Sequence, residues 1–399
     1  MKPGSKSGAR VAIVVGEESG DRLGADLIAA IRKLDPDTEF LGVAGERMRE
    51  HGVDSLFPMS DVAVMGISAV VGRLPVILKR IRQTVQALVL ARPDILVIVD
   101  SPGFTHSVAR RVSRRLPDLP VVNYVSPSVW AWKSWRAKQM SGFIDHVLAL
   151  LPFEPEVHRR LGGPPCTYVG HPLIEKLSLL RGNEDARTNI GDPPVLVVLP
   201  GSRRSEIDRL MAPFGEAVAR IGEVFPDMQV VLPAVSHLLG DIERKVRSWP
   251  VKPEIVTGDV EKFAAFRRAD VALAASGTVT LELALAQVPM VVAYRVEWIG
   301  RKLKRFLKVP SIVLANLIIE ENVVPEFLDE CSDPRTLADH VIALMRPGPE
   351  REKQLSGFRL LDEKMALAGG IAPSERAARI VLQVLNRRKE SQPRLDSGR

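Results

Sequence analysis

Acids and small polar residues stand at the ends of several apolar runs in this chain, where side chains and free backbone groups can meet a ligand. Asp94–Asp100, DILVIVD, is apolar between its acids and ends in a carboxylate, followed by Ser101-Pro102-Gly103. An acid at the carboxyl end of a buried strand, on a Pro-Gly turn, is placed to remove a proton from an attacking hydroxyl. The same carboxylate could instead cap the following helix. Glu17, Glu18 and Asp21, in the turn GEESGD, compete for the base role, and neighbouring acids raise one another's pKa. A different chemistry is written in Val271–Glu282, VALAASGTVTLE. A strand, the small turn Ser276-Gly277-Thr278 and a helix N-terminus make an anion site, because free N–H groups and the helix dipole point at the ligand. Glu282 lies about one turn into that helix, in reach of ribose hydroxyls. An ordinary N-capped turn would look the same. Gly201-Ser202-Arg203-Arg204 is a second such turn, whose guanidinium fork suits a diphosphate.

Other segments frame these groups. Ser126–Arg136, SPSVWAWKSWR, holds Trp130, Trp132 and Trp135 of the five tryptophans in the chain, a density that suits a substrate wall. His171, before Pro172, reads as structural. Asn316 places an amide in the apolar run LANLI, and a buried amide needs partners from protein or ligand. Val62, Val64, Met65, Ile67, Val70 and Val71 are dense and apolar. Pro75 then reads as the start of a helix with Leu74, Ile77, Leu78, Ile81, Val85 and Leu88 at helical spacing and Lys79, Arg80 and Arg82 as its basic side. Such a segment can rest on a membrane or receive an acyl chain, although a core helix with a solvated basic face has the same pattern. Arg301, Lys302, Lys304 and Arg305, with Trp298 and Phe306, form a second basic amphipathic run suited to anionic lipid.

Composition sets the bounds. The 399 residues carry a net charge of +7, which favours anionic partners, while aromatics at 5% without basic–aromatic interleaving argue against nucleic acid. Two distant cysteines, Cys166 and Cys331, lack metal-ligand spacing and point to a reducing compartment. The polar, basic start MKPGSKSGAR leads directly into a strand, and the apolar run after it is cut by acids, so no signal peptide is read. No run approaches the roughly 18 apolar residues of a spanning helix. The expected location is the cytoplasm, at most on a membrane surface.

The elements that must position these groups are strands alternating with helices. Strands are expected at Arg10–Val15, Glu39–Val43, Asp94–Asp100, Val121–Val125, His146–Leu151, Val195–Leu199, Gln229–Leu232, Glu254–Val256, Val271–Ala274 and Pro289–Tyr294, with a turn over 16–21 before a helix from Leu23 to Leu34. This alternation implies α/β sheets with ligands at the carboxyl ends of the strands. We divide the chain into an N-terminal domain over 1–176, a polar linker over 177–194 and a second domain over 195–370. A helix over 371–389 then packs back on the first domain, before a disordered tail over 390–399.

Two α/β halves, an acid on the first and an anion-binding helix on the second, describe a GT-B glycosyltransferase: two Rossmann-like domains facing across a cleft. The segments GEESGD, YVSPSVWAW, LPFE at Leu151–Glu154, VGHPL at Val169–Leu173, LPGSRRSEI at Leu199–Ile207, ASGTVTLE and LANLI closely resemble the lipid A disaccharide synthase family. The resemblance runs from about Val11 to the C-terminal helix. The chain departs from the family pattern at Glu18, at Gly103-Phe104-Thr105 and at Asp329. The resemblance implies transfer of a sugar from UDP-2,3-diacylglucosamine to the 6-hydroxyl of 2,3-diacylglucosamine 1-phosphate, without metal or other cofactor, on the cytosolic face of the inner membrane. It implies Asp100, Glu17 and Asn316 as catalytic residues. Arg203, Gly201, Ser202, Ser276, Gly277, Thr278 and Glu282 would hold UDP, and Ser19, Ser126, Trp130 and Trp132 would line the acceptor side. Val64, Met65, Ile67, Val70 and the 301–308 basic run would meet the membrane or acyl chains, and a homodimer is a candidate assembly. Two alternatives stay open: another GT-B enzyme such as a UDP-N-acetylglucosamine 2-epimerase, which would share the SGT helix but leave the acyl-suited segment unexplained, and a non-enzymatic binder of anionic lipid.

Overall fold

The computed structural model describes residues 8–63, 67–181, 190–295, 310–329 and 332–391. The chain divides into two compact units. One comprises Met1–Pro172 and Leu367–Arg399, the other Leu173–Ala366.

The first unit is a parallel sheet built from β1 (Arg10–Val15), β2 (Glu39–Val43), β3 (Ile95–Val99), β4 (Val121–Tyr124), β5 (His146–Ala149) and β6 (Cys166–Tyr168), in the order β2-β1-β3-β4-β5-β6. Its strands are apolar on both faces because helices cover both. Val11, Ile13, Val15, Val97 and Val99 point into one core with the helix Glu18–Leu34, while Ala12, Val14, Leu96 and Ile98 point into the other with Ile81, Val85 and Leu88. The helix Pro373–Ser391 also belongs to this unit, burying Ala377, Ala378, Val381 and Leu385 in the first of these cores. Glu390 and Ser391 are therefore helical, and 392–399 lie outside the described residues.

Two helices start earlier than the sequence pattern indicates. The helix expected from Leu23 begins at Glu18, because Glu17 is extended as its N-cap and the acids Glu18 and Asp21 favour the positive end of the dipole. Ser19, Gly20 and Asp21 are thus first-turn residues. The helix expected to start at Pro75 runs from Ile67 to Ala91, with Pro75 inside it. Proline is favoured in a first turn, where its missing N–H costs nothing, but here the helix continues through it at the loss of one backbone bond.

The second unit repeats the plan with β7 (Val195–Leu199), β8 (Gln229–Ala234), β9 (Glu254–Thr257), β10 (Val271–Ala275), β11 (Met290–Tyr294) and β12 (Glu326–Leu328), ordered β12-β11-β10-β7-β8-β9 and all parallel. Both sheets are wound in two directions from their first strand. The direction reverses between β1 and β3 in one unit and between β7 and β10 in the other. Loops at such a reversal diverge to opposite faces and leave a crevice at the carboxyl ends, where ligands bind in open α/β sheets.

Candidate active site

Several of the sequence-selected residues follow the strands at these two reversals: Glu17, Asp100, Arg203 and Ser276–Thr278. In the first unit, Glu17 follows β1 and Asp100 follows β3, and the strands pair with Val15 opposite Val99. The approach is close because Gly16 is small: a Cβ there would lie 2.6 Å from the Cβ of Ser101. The Ser19 hydroxyl donates to Glu17 Oε1 at 2.6 Å and stands 3.4 Å from Asp100 Oδ2, while the Ser101 N–H donates to Asp100 Oδ1 at 2.7 Å. Burial, together with a hydrogen bond and the negative charge of Glu17, pushes the Asp100 carboxyl up to about 7; the Ser101 and Ser19 donors oppose the shift. The result is a carboxyl poised between its two forms at neutral pH, as a general base requires. The backbone here is strained. Asp100 and Ser101 have φ of 48° and 47°, and Val125, at the end of the neighbouring β4, has φ of 76°. Positive φ is unfavourable for such residues and persists where surrounding structure enforces it, often at functional sites.

Of the competing acids, Glu18 is exposed. Asp21 is buried and accepts from the backbone N–H groups of Gly45, Arg47 and Met48, so it caps the helix Glu46–Glu50. Asp100 and Glu17 remain as the acid pair at this reversal.

The tryptophan loop follows β4, next to Asp100, whose N–H donates to the Tyr124 carbonyl. It divides into an inner and an outer part. Ser126 is buried with its hydroxyl 2.9 Å from His158 Nε2, and Trp130 donates its indole N–H to Glu154 Oε1 at 3.2 Å. Trp132 is 40% exposed, with the Lys133 ammonium 3.9 Å from its ring centroid. Only the outer part offers an open aromatic face.

In the second unit, Arg203 follows β7 and Ser276–Thr278 follow β10. Gly201 has φ of 118°, and a Cβ there would collide with Glu206, so glycine is required for this turn. Glu206 accepts from the N–H groups of Ser202 and Arg203 and from Arg203 Nη1 at 2.9 Å. These bonds to Glu206 cap the start of the helix Arg204–Val224 and fix one edge of the guanidinium. The helix Thr278–Leu285 starts without a side-chain cap, and Gly277 and Thr278 are exposed, so an anion can approach the start of its first turn, although the Thr280 N–H already donates to the Gly277 carbonyl. A Cβ on Gly277 would meet nothing within 4 Å, so the turn faces open space. Ser276 donates to the Ile312 carbonyl at 3.2 Å.

Glu282 faces a partner that the sequence reading missed. Lys262, on the helix Asp259–Arg268, lies 3.0 Å from Glu282 Oε2 and also 3.3 Å from Asp259. Twenty residues separate Lys262 from Glu282 in sequence with no pattern between them, so only packing brings them together.

Asn316 is a correction. It is 2% exposed, its amide nitrogen donates to Ser311 Oγ and the Val324 carbonyl, and its oxygen accepts from the N–H groups of Val323 and Val324. Every hydrogen-bonding position is spent on the protein, so the amide staples its own segment and has nothing left for substrate. Val64 and Met65 and the basic run Arg301, Lys302, Lys304 and Arg305 lie outside the described residues, as do the side chains of Ile67 and Val70. Among the described residues no helix is long and apolar enough to cross a membrane, and no cluster of metal-ligating side chains occurs.

Two doubly wound parallel units with their polar residues at the reversal points define a GT-B architecture. The structural neighbours agree. A putative UDP-N-acetylglucosamine 2-epimerase from Listeria monocytogenes aligns with a TM-score of 0.60 at 15% identity, over 97% of this chain and 98% of that one. The calicheamicin glycosyltransferase CalG4 aligns with a TM-score of 0.56 at 17% identity, over 95% and 99%. At such identities the likeness speaks to fold alone, and the sequence decides the chemistry. Residues 11–370 match the family model LpxB, lipid-A-disaccharide synthetase, and the lipid-A-disaccharide synthase of Rhodopseudomonas palustris strain HaA2 is 53% identical over 385 residues, 95% of this chain and 97% of that one. The chain belongs to this family and is a glycosyltransferase of lipid A biosynthesis with lipid-A-disaccharide synthase activity.

Proposed function

We propose that the enzyme joins UDP-2,3-diacylglucosamine to the 6-hydroxyl of 2,3-diacylglucosamine 1-phosphate, with inversion at the anomeric carbon. Asp100 takes the proton of the 6-hydroxyl as its oxygen attacks that carbon from the face opposite UDP. The bond to the diphosphate oxygen breaks, a β-1,6 linkage forms, and UDP leaves with the electron pair. Glu17 keeps the Asp100 carboxyl basic enough to accept the proton, and Ser19 orients the pair. Charge growing on the leaving diphosphate is met by the Arg203 guanidinium and by the free N–H groups and dipole at Ser276–Thr278, while Glu282 accepts from the ribose hydroxyls. The acceptor is the task of the first unit and the nucleotide that of the second.

The observation that carries this reading is the Asp100–Glu17 pair at the β1/β3 reversal, with the Asp100 carboxyl raised to about 7. A peripheral position on the cytosolic face of the inner membrane goes with it. Leu74 and Leu78 lie exposed one turn apart on the helix Ile67–Ala91, directly before Lys79, apolar surface beside positive charge that suits contact with anionic headgroups.

The test is UDP release from UDP-2,3-diacylglucosamine, with and without the monosaccharide phosphate, for wild type and Asp100→Ala. Acceptor-dependent release that falls about a hundredfold or more in the variant, with UDP affinity intact, supports the assignment. Near-normal turnover removes Asp100 from the role of base, and absence of acceptor-dependent release in wild type removes the reaction.

A further inference from the structure

The segment LPFE, at the end of β5, takes no part in the chemistry above, yet Glu154 is 3% exposed. A carboxyl group buried this far is expensive unless donors meet it. Here Trp130 Nε1 donates to its Oε1 at 3.2 Å and the Leu151 N–H to its Oε2 at 3.0 Å, with the Ser126 hydroxyl as a further donor; burial outweighs them and pushes the carboxyl up to about 7. The Trp130 ring also packs edge-on against Phe153, centroids 5.4 Å apart at 87°. Ser126 is held from the other side by His158, whose burial lowers it to about 4 and keeps it neutral. All of these side contacts fall on the loop that Val125 enters in a strained conformation, beside Asp100. A strained entry persists only where later contacts over-determine it.

We propose that Glu154 is a positioning residue for the acceptor: it clamps the indole of Trp130, and through it holds the Ser126–Trp132 loop in the shape that presents Trp132 to the acylated sugar phosphate. Trp130 faces inward as the anchor, and the exposed Trp132 faces the substrate. The inference rests on the acceptor lying at the first unit, as proposed above.

Two variants of the full-length enzyme separate this role from bulk packing. Glu154→Gln keeps size and one acceptor oxygen but loses the charge. Trp130→Phe keeps the ring against Phe153 but removes the N–H. Each is expected to raise the acceptor KM about tenfold, as for loss of a hydrogen bond to a charged group, with kcat within about threefold of wild type and UDP affinity unchanged. The double variant should be no worse than the poorer single one, since both act on the same Trp130–Glu154 contact, one by removing its charge and the other its donor. Wild-type acceptor KM in both single variants, effects that multiply in the double variant, or UDP affinity falling in step with KM would overturn the proposal and leave the transferase reading standing. Acceptor-independent UDP release in wild type would instead remove that reading, and this one with it.

Discussion

Glu17 and Asp100 leave adjacent parallel strands and meet across the Ser19 hydroxyl, 2.6 Å from the first carboxylate and 3.4 Å from the second. Eighty-three positions of sequence separate the two acids, and the hydrogen bond and charge of Glu17 raise the proton affinity of Asp100.

The pH dependence of the reaction follows from this pair. Only the deprotonated Asp100 accepts a proton, so kcat/KM should rise with pH through a midpoint near 7. Glu17 holds that midpoint up through its negative charge and hydrogen bond. Glu17→Gln removes the charge, so the acid limb should shift to lower pH. A pH–rate profile of the two enzymes checks this, and an unmoved limb would separate Glu17 from the titration.

The same carboxyl costs stability. Its folded pKa lies above the ordinary 3.8, so the folded protein binds the proton more tightly than the unfolded chain. Stability from this group is fully present below about 3.8, falls as pH rises toward 7, and stays lost above it. Asparagine carries no such cost and tolerates the positive φ of this position. Asp100→Asn should therefore raise Tm by about 2–4 °C at pH 8, measured calorimetrically, while abolishing transfer. A Tm equal to or below wild type would show that the carboxylate is not a destabilising group.

Arg203 is held along one edge by Glu206, and the rest of its fork is free for the diphosphate. Arg203→Ala leaves the Ser202 and Arg203 N–H bonds to Glu206 in place, so the turn should survive. Loss of leaving-group stabilisation should lower kcat about 10²- to 10³-fold. Arg203→Lys should recover only part of it, because an ammonium lacks the fork. Steady-state kinetics with a UDP titration separate this from simple loss of binding.

Asn316→Ala takes the side-chain acceptor from the buried Val324 N–H and one of the two acceptors from the Val323 N–H, which keeps the Glu321 carbonyl. The expected cost is about 2–4 kcal/mol of stability, read by denaturant unfolding. In the folded variant kcat should stay within about tenfold of wild type. A loss of a hundredfold or more would restore a catalytic role to this amide.

Much of this fold and the outline of the candidate site are legible in the sequence. Strands such as Ile95–Val99 and Val271–Ala275 are short apolar runs closed by turn residues, and buried parallel strands leave that signature because helices cover both faces. Asp100, Arg203 and Ser276–Thr278 could be selected because a strand end followed by a small or prolyl turn is itself a local pattern. The helix start at Ile67 was hidden by Pro75, since a proline looks the same whether it opens a helix or sits inside one.

Residue types and local spacing determined the α/β class, the strand-end acid and the uncapped helix start after Ser276-Gly277, because each depends on neighbours within a turn or two. Tertiary structure alone decided which acid stands beside Asp100, that Asp21 caps a helix, that Lys262 pairs with Glu282, and that Asn316 and Trp130 turn inward. Those outcomes depend on strand order and on burial. Both bring together groups tens to hundreds of residues apart, and such distances leave no periodic trace in the chain.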